Sequence, residues 1–279
     1  MHDEVRAAVG TSVNSIAVMG ILNVTPDSFS DGGQYRALDA ALYRAEQMLS
    51  EGAAWIDVGG ESTRPGAADV TVDEELDRVV PVIAALKQRF DLKISVDTSK
   101  AAVMTAAVAA GAAMINDVRA LREPGALAAA AATSADVCLM HMIGQPRTMQ
   151  SAPSYANVVD EVKLFLQQRM QDCIAAGIGH ERIWLDPGFG FGKTVEHNYQ
   201  LLANLQEFRS LGAPLLIGVS RKSMLGAVTG RETIERLAAS ISAATIAMLQ
   251  GGQIIRVHDV AATVDAMKVV QATQAGEFN

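Results

Sequence analysis

Short apolar runs alternate with longer segments of helical periodicity along the chain. Eight runs have the length and apolar character of buried strands, and they cover residues 16–22, 55–58, 93–96, 114–115, 137–140, 183–185, 215–219 and 254–257. Segments with apolar residues at helical spacing follow at residues 37–51, 73–90, 99–110, 124–132, 155–176, 195–209, 233–250 and 260–274. Regular alternation of strand and helix predicts a parallel sheet.

Two α/β folds are built from this alternation, a closed (β/α)8 TIM barrel and an open doubly wound sheet. The chain has 279 residues, and such a barrel typically takes about 250. Eight repeats match its strand number, and the chain lacks the glycine-rich fingerprint of a dinucleotide-binding sheet. We therefore predict a single TIM barrel over residues 16–279, with residues 1–15 as a short N-terminal extension.

Polar side chains follow the C-terminal ends of the eight runs. They are Asn23, Glu61, Thr63, Arg64, Asp97, Asn116, Asp117, His141, Asp186, Ser220 to Ser223, Arg256 and His258. In a TIM barrel the strand ends and the loops after them form the active site. This pattern therefore predicts an enzyme with its chemistry at the carboxyl end of the barrel.

Composition narrows the class of protein. Hydrophobic residues make up 49% and charged residues 19%, which supplies a core and argues against disorder. The net charge of −8 argues against a nucleic-acid surface. It leaves anionic small molecules open as ligands, because a few converging basic side chains set the local potential.

Several features predict a cytoplasmic protein. The N-terminal residues 1–4 are acidic and lack the apolar core of a signal peptide. No apolar stretch approaches the length of a membrane span. The two cysteines, Cys138 and Cys173, offer no disulfide framework.

Two stretches resemble motifs of other enzyme classes, and we reject both interpretations. Residues 187–194 nearly fit the phosphate-binding loop of nucleotide hydrolases, but Pro187 occupies the first glycine position. Lys222 could form a Schiff base, as in aldolase-like barrels. Its neighbours Arg221 and Ser223 fit ion recognition better.

Eight motifs, in order, resemble those of the dihydropteroate synthases. They cover residues 19–33, 61–67, 94–100, 115–117, 139–142, 185–193, 219–223 and 255–258, so the resemblance extends over almost the whole chain. It implies a pterin-binding TIM-barrel transferase of folate biosynthesis. Such an enzyme condenses (7,8-dihydropterin-6-yl)methyl diphosphate with p-aminobenzoate, giving dihydropteroate and pyrophosphate.

The resemblance implies a pterin pocket lined by Asp97, Asn116, Asp186 and Lys222, with Met140 and Phe191 as walls for the flat ring. The chemistry of these residues fits. A carboxylate accepts two parallel hydrogen bonds from an amino-pyrimidine edge, and an amide offers both donor and acceptor. For either aspartate alone, capping of the following helix is an alternative role.

The resemblance also implies sites for the other groups. Thr63, Arg64, Arg256 and His258 bind the diphosphate, Asn23 is the Mg²⁺ ligand, and Phe29, Thr63, Pro65, Lys222 and Ser223 form the aminobenzoate pocket. One asparagine suffices because Mg²⁺ keeps several waters beside phosphate oxygens. The catalytic residues that the resemblance implies are Asp97, Lys222, Arg64, Arg256 and His258. The expected mechanism is dissociative, with Asp97 offsetting positive charge on the pterin methylene.

Two other functions remain as alternatives. A pterin-dependent methyltransferase shares the barrel and the pterin-binding residues, but it needs no diphosphate site; Arg64 and Asp31 favour the synthase. A pterin-binding protein without activity is the second alternative, although no motif position has lost its functional side chain. The resemblance further implies sulfonamide binding and a homodimer, for which helices 233–250 and 260–274 are the candidate interface.

Overall fold

Eight parallel strands close into a barrel in chain order, and β8 pairs with β1. The computed structural model describes residues 16–25, 33–62, 69–144 and 153–276. The strands are β1 (Ala17–Asn23), β2 (Trp55–Gly59), β3 (Lys93–Asp97), β4 (Met114–Asp117), β5 (Asp136–Met140), β6 (Ile183–Asp186), β7 (Leu215–Ile217) and β8 (Gly252–Val257). The predicted TIM barrel is confirmed, and the open sheet is wrong.

Nine α-helices lie in the described part of the chain and surround this barrel. They are α1 (Gly33–Ser50), α2 (Val72–Arg89), α3 (Ala101–Ala110), α4 (Ala126–Ala131), α5 (Val158–Ala175), α6 (Val195–Ala203), α7 (Ser223–Thr229), α8 (Leu237–Leu249) and α9 (Val260–Ala275). Most lie within a few residues of the predicted bounds. The short helix α7 was not predicted. The apolar run 215–219 extends two residues beyond the end of β7.

Two predicted helices are wrong as single elements. The segment 195–209 contains α6 and then a 3₁₀ helix, Leu205–Leu211. Asn204 lies between them with non-helical backbone angles, and both its backbone N–H and its Nδ2 donate to the Gln200 carbonyl, at 3.1 and 2.8 Å. The segment 233–250 likewise divides at Arg236 into a 3₁₀ turn and α8.

Apolar side chains fill the inside of the barrel and the layer between sheet and helices. The inner cluster consists of Met19, Trp55, Met114, Cys138, Trp184, Leu216 and Ile254. A larger cluster lies between the outward faces of the strands and the helices, as expected for strands buried on both faces. The barrel is therefore a packed core and not a pore.

Cys138 on β5 and Cys173 on α5 are buried and unpaired. Among the helices that the structure describes, none is long and apolar enough to cross a membrane. The predicted extension, residues 1–15, lies outside the described residues.

Candidate active site

The site lies one layer above the apolar filling of the barrel. Side chains two positions apart in a strand point to the same face, so the residue two positions after a filling residue also points inward, nearer the carboxyl end. The resulting pairs are Trp55 and Asp57, Met114 and Asn116, Cys138 and Met140, Trp184 and Asp186, and Ile254 and Arg256. The fold thus brings residues that are far apart in sequence to one end of the barrel.

Arg256 binds two carboxylates across the mouth of the barrel. Its Nε lies 2.6 Å from Asp57 Oδ2 and its Nη2 lies 2.8 Å from Asp97 Oδ2, and Asn116 Nδ2 donates to Asp57 Oδ2 at 3.3 Å. Burial raises the pKa of Asp97 to about 7, although Arg256 lowers it. Burial alone lowers the pKa of Arg256, but the two carboxylates outweigh it and raise that pKa.

Asp57 is a site residue that the sequence analysis missed. Its side chain is fully buried, and its Oδ1 has no hydrogen bond within the described part of the chain. Buried carboxylates are paired with rare exceptions. A lone acid inside the apolar run 55–58 was therefore a signal of a buried ion pair.

Asp186 lies at the end of β6 and is buried. Its Oδ1 accepts a hydrogen bond from the Gly188 backbone N–H at 2.7 Å. Burial raises the pKa of Asp186 to about 6, while that hydrogen bond and the charges of Lys222 and Lys193 lower it. At neutral pH the carboxylate is therefore mainly ionised and held in one orientation.

A soft apolar wall stands beside these charged groups. Met140 and Phe191 are buried against Val118 and Met142, and Lys222 Nζ lies 4.2 Å from the centre of the Phe191 ring. Burial lowers the pKa of Lys222 to about 8, although Asp186 raises it. Sulfur and aromatic side chains of this kind fit the faces of a flat ring.

The segments after the neighbouring strands β7 and β8 contact each other at the mouth of the barrel. Ser220 Oγ lies 3.0 Å from His258 Nδ1, and Arg221 forms a 2.5 Å ion pair with Asp259. Arg236 Nη1 donates to the Arg221 carbonyl at 3.1 Å. These contacts hold the segment that carries Lys222 against the end of the barrel.

Asn23 is exposed at the end of β1, next to Asp97. A Cβ built on Gly59 would lie 3.7 Å from Asn23 Oδ1 and 3.8 Å from Asp97 Oδ2, so a side chain at this position would fill the space between them. The space opens onto a neutral amide oxygen, a hard ligand that Mg²⁺ accepts. The residues present therefore fit the magnesium site that the resemblance implies.

Five further residues were predicted for the site. Ser223 is exposed as the first residue of α7. Phe29, Thr63, Arg64 and Pro65 lie outside the described residues. Over residues 16–25, 33–62, 69–144 and 153–276, no group of three or more His, Cys, Asp or Glu side chains could hold a metal ion.

A second ion-pair cluster, also missed from the sequence, lies beside β3. Lys100 forms ion pairs with Glu61 and with the fully buried Glu75. Glu61 Oε1 also accepts a hydrogen bond from the Val70 N–H at 3.4 Å. The cluster thus ties the end of β2 to the beginning of α2 and α3.

Comparison with known proteins shows the family. Residues 19–258 match the pterin binding enzymes. Dihydropteroate synthase of Haemophilus influenzae is 57% identical over 256 residues, covering 92% of this chain and 93% of that protein. The crystal structure of the Yersinia pestis enzyme with a sulfonamide drug complex is 57% identical, with a TM-score of 0.90 over 95% of this chain and 96% of that chain. The Xanthomonas albilineans enzyme in complex with 7,8-dihydropteroate is 50% identical, with a TM-score of 0.86 over 95% and 96%.

The chain belongs to the family of pterin binding enzymes. Its relatives within that family are dihydropteroate synthases, which are transferases. The resemblance inferred from the sequence motifs is confirmed.

Proposed function

We propose that the mouth of the barrel carries out the reaction of these relatives. The chain is a transferase that condenses (7,8-dihydropterin-6-yl)methyl diphosphate with p-aminobenzoate, giving dihydropteroate and pyrophosphate in folate biosynthesis. The observation that carries this function is the buried Asp186 carboxylate, whose Oδ1 accepts a hydrogen bond from the Gly188 N–H at 2.7 Å. It lies beside the apolar wall formed by Met140 and Phe191. Sulfonamides, which mimic p-aminobenzoate, are expected to bind the same enzyme.

The pterin ring is assigned to the pocket between Asp186 and Asn116. One oxygen of Asp186 is occupied by the Gly188 N–H, but a carboxylate has about four acceptor positions and can still accept two donors from the amino-pyrimidine edge. Asn116 offers an acceptor oxygen, since its Nδ2 is directed to Asp57. Lys222 and Phe191 are in contact, with the Lys222 ammonium over the Phe191 ring. They line the remaining edge and one face of the pterin.

The diphosphate is assigned to the side of the mouth where Arg256 and His258 lie. Arg256 uses Nε and Nη2 for the two carboxylates, and its Nη1 takes no part in those bonds. Asn23 would hold Mg²⁺ in the space beside Gly59, and the ion would neutralise charge on the diphosphate when bound. Thr63 and Arg64 are proposed for the same anion on the strength of the sequence resemblance.

The positive charge that develops as pyrophosphate departs requires a nearby carboxylate. Asp97 lies at the mouth and is buried, and Arg256 fixes its orientation. A fixed carboxylate in a site of low polarity stabilises a developing cation strongly. The amine of p-aminobenzoate is already nucleophilic, so no strong base is required. Phe29, Thr63, Pro65, Lys222 and Ser223 are proposed to hold this second substrate.

The product distinguishes this function from its alternatives. Purified protein given both substrates and Mg²⁺ should form dihydropteroate, which mass spectrometry identifies. A pterin-dependent methyltransferase or a pterin-binding protein without activity would bind the pterin and form none.

Pterin binding should weaken as the pH falls, because it requires the ionised form of Asp186. The pKa of this residue is raised to about 6, so below that pH binding must first remove a proton. We expect the Kd for pterin diphosphate to rise about tenfold between about pH 7 and about pH 5, measured by calorimetry. Asp97 also titrates in this range, so Asp186→Asn is the control. In that variant the pH dependence of the Kd that comes from Asp97 remains, and the part that comes from Asp186 is lost. A Kd independent of pH in the wild type would contradict the assignment.

Three further properties are proposed beyond the reaction. We propose a homodimer formed through α8 and α9, which expose Leu237, Ile246, Leu249 and Val269; sedimentation equilibrium tests it. The cytoplasm is the proposed compartment, since both cysteines are buried and unpaired. Residues 16–279 are proposed to form one catalytic domain.

A further inference from the structure

Lys193 is a buried lysine that none of the proposed catalytic steps uses. It lies in the glycine-rich loop between β6 and α6, and only 3% of its surface is exposed. Its Nζ lies 2.8 Å from the Gly188 carbonyl oxygen, 2.9 Å from His141 Nδ1 and 3.1 Å from the Phe191 carbonyl oxygen. These three shortest contacts match the three N–H donors of an ammonium group.

The charges around Lys193 fix the direction of its bond to His141. Burial, together with the charges of Lys193 and Arg122, lowers the pKa of His141 to about 2. The imidazole is therefore neutral at neutral pH. An ammonium group has no lone pair, so Nδ1 of His141 accepts from Lys193 whenever Lys193 is protonated. Burial lowers the pKa of Lys193 to about 7, although the Asp186 carboxylate raises it and Lys222 lowers it.

The glycine-rich loop lies directly on the segment that follows β5. A Cβ on Gly188, whose φ is +72°, would lie 1.9 Å from the His141 carbonyl oxygen, and one on Gly192 would lie 2.8 Å from that of Ile143. Tyr155 donates from its hydroxyl to the Gly192 carbonyl at 2.8 Å. Two segments of backbone thus touch without intervening side chains, and Lys193 joins them.

The two residues whose carbonyl groups Lys193 holds, Gly188 and Phe191, also carry parts of the pterin pocket. The Gly188 N–H fixes the Asp186 carboxylate, and Phe191 supplies the ring against which Lys222 stacks. We propose that Lys193 is a positioning residue, whose ammonium holds the loop 188–191 so that Asp186 and Phe191 face the pterin. This inference rests on the proposed function, since it assigns the pterin to this pocket.

The test compares steady-state kinetics of Lys193→Met with the wild type. Methionine keeps the length of the side chain and leaves the carbonyl groups without their donor. We expect the KM for pterin diphosphate to rise about tenfold and the KM for p-aminobenzoate to change less than about twofold. Lys87→Met, an exposed lysine on α2, is the matched control and should leave both constants unchanged.

The KM values separate positioning from a merely structural role. A variant that is only partly folded has fewer active molecules, which lowers the apparent kcat and leaves both KM values unchanged. That result for Lys193→Met would overturn the proposal. If the wild type itself forms no dihydropteroate, the proposed function fails instead, so the two failures are distinguishable.

His141→Phe keeps the proposal testable if Lys193→Met does not fold. His141 is buried and neutral, with the Phe165 ring 4.9 Å away in an edge contact, so phenylalanine keeps an aromatic ring at this position without a change of charge. One partner of the ammonium is lost, and we expect the pterin KM to rise about threefold. An unchanged pterin KM in this folded variant would refute the role of Lys193.

Discussion

Replacing Asp186 by alanine weakens binding of the pterin diphosphate at least about tenfold, and the barrel remains folded. The carboxylate is the only charged acceptor proposed for the amino-pyrimidine edge, and a hydrogen bond to a charged group is worth about 1.5–3 kcal/mol. Calorimetric titration of the variant with pterin diphosphate measures the loss directly.

The fold should survive this change because the ionised Asp186 carboxylate is itself unfavourable in a buried position. Burial raises the pKa of Asp186, so ionisation of this group at neutral pH opposes folding, and the contribution that it makes to stability is lost as the pH rises through about 6. Alanine removes that cost along with the hydrogen bond to Gly188. Asp91→Ala, which removes an exposed aspartate, is the control. An unchanged affinity in folded Asp186→Ala would refute the pterin pocket.

Replacing Arg256 by methionine should have the largest effect on stability. It leaves Asp57, which is fully buried, and Asp97 without their shared cation. Breaking a buried ion pair by removing one partner costs about 3–5 kcal/mol. Urea unfolding of the variant, extrapolated to water, should show a loss of this size in the free energy of unfolding.

The loss should depend on pH in a defined direction. Without Arg256 the pKa of Asp97 rises further, so protonation at low pH relieves the unpaired charge and the deficit relative to wild type shrinks as the pH falls. Arg231→Met is the matched control, because Arg231 forms an exposed ion pair with Glu235 at 3.5 Å and such pairs contribute about 0–1 kcal/mol. A deficit below about 1 kcal/mol at all pH values would show that the carboxylates are not paired as described.

The architecture was predictable from sequence because its signals are local and repeated. Eight apolar runs with helical segments between them leave few arrangements open. The errors fell at breaks inside predicted helices, which the spacing of apolar residues does not mark. One break lies at Asn204, whose backbone N–H and Nδ2 both donate to the Gln200 carbonyl. The other lies at Arg236, which contacts the segment after β7.

The site was predictable where motifs carry it and not where packing does. Asp186 and Asn116 directly follow apolar runs of the sequence, and known motifs contain them. Asp57 lies inside a strand, and its role depends on Arg256 reaching across the barrel from β8. Lys193 follows a run of glycines, and its partner His141 lies 52 positions earlier in the chain. No local pattern contains either pairing.

Pyrophosphate release is the measurement that tests the central claim most directly. Purified protein would be given Mg²⁺ and pterin diphosphate, with p-aminobenzoate present or withheld. Pyrophosphate and dihydropteroate would both be quantified. We expect one pyrophosphate for each dihydropteroate formed, with sustained release only when p-aminobenzoate is present. Tight pterin binding with no pyrophosphate released under either condition would contradict the assignment of this site to the condensation.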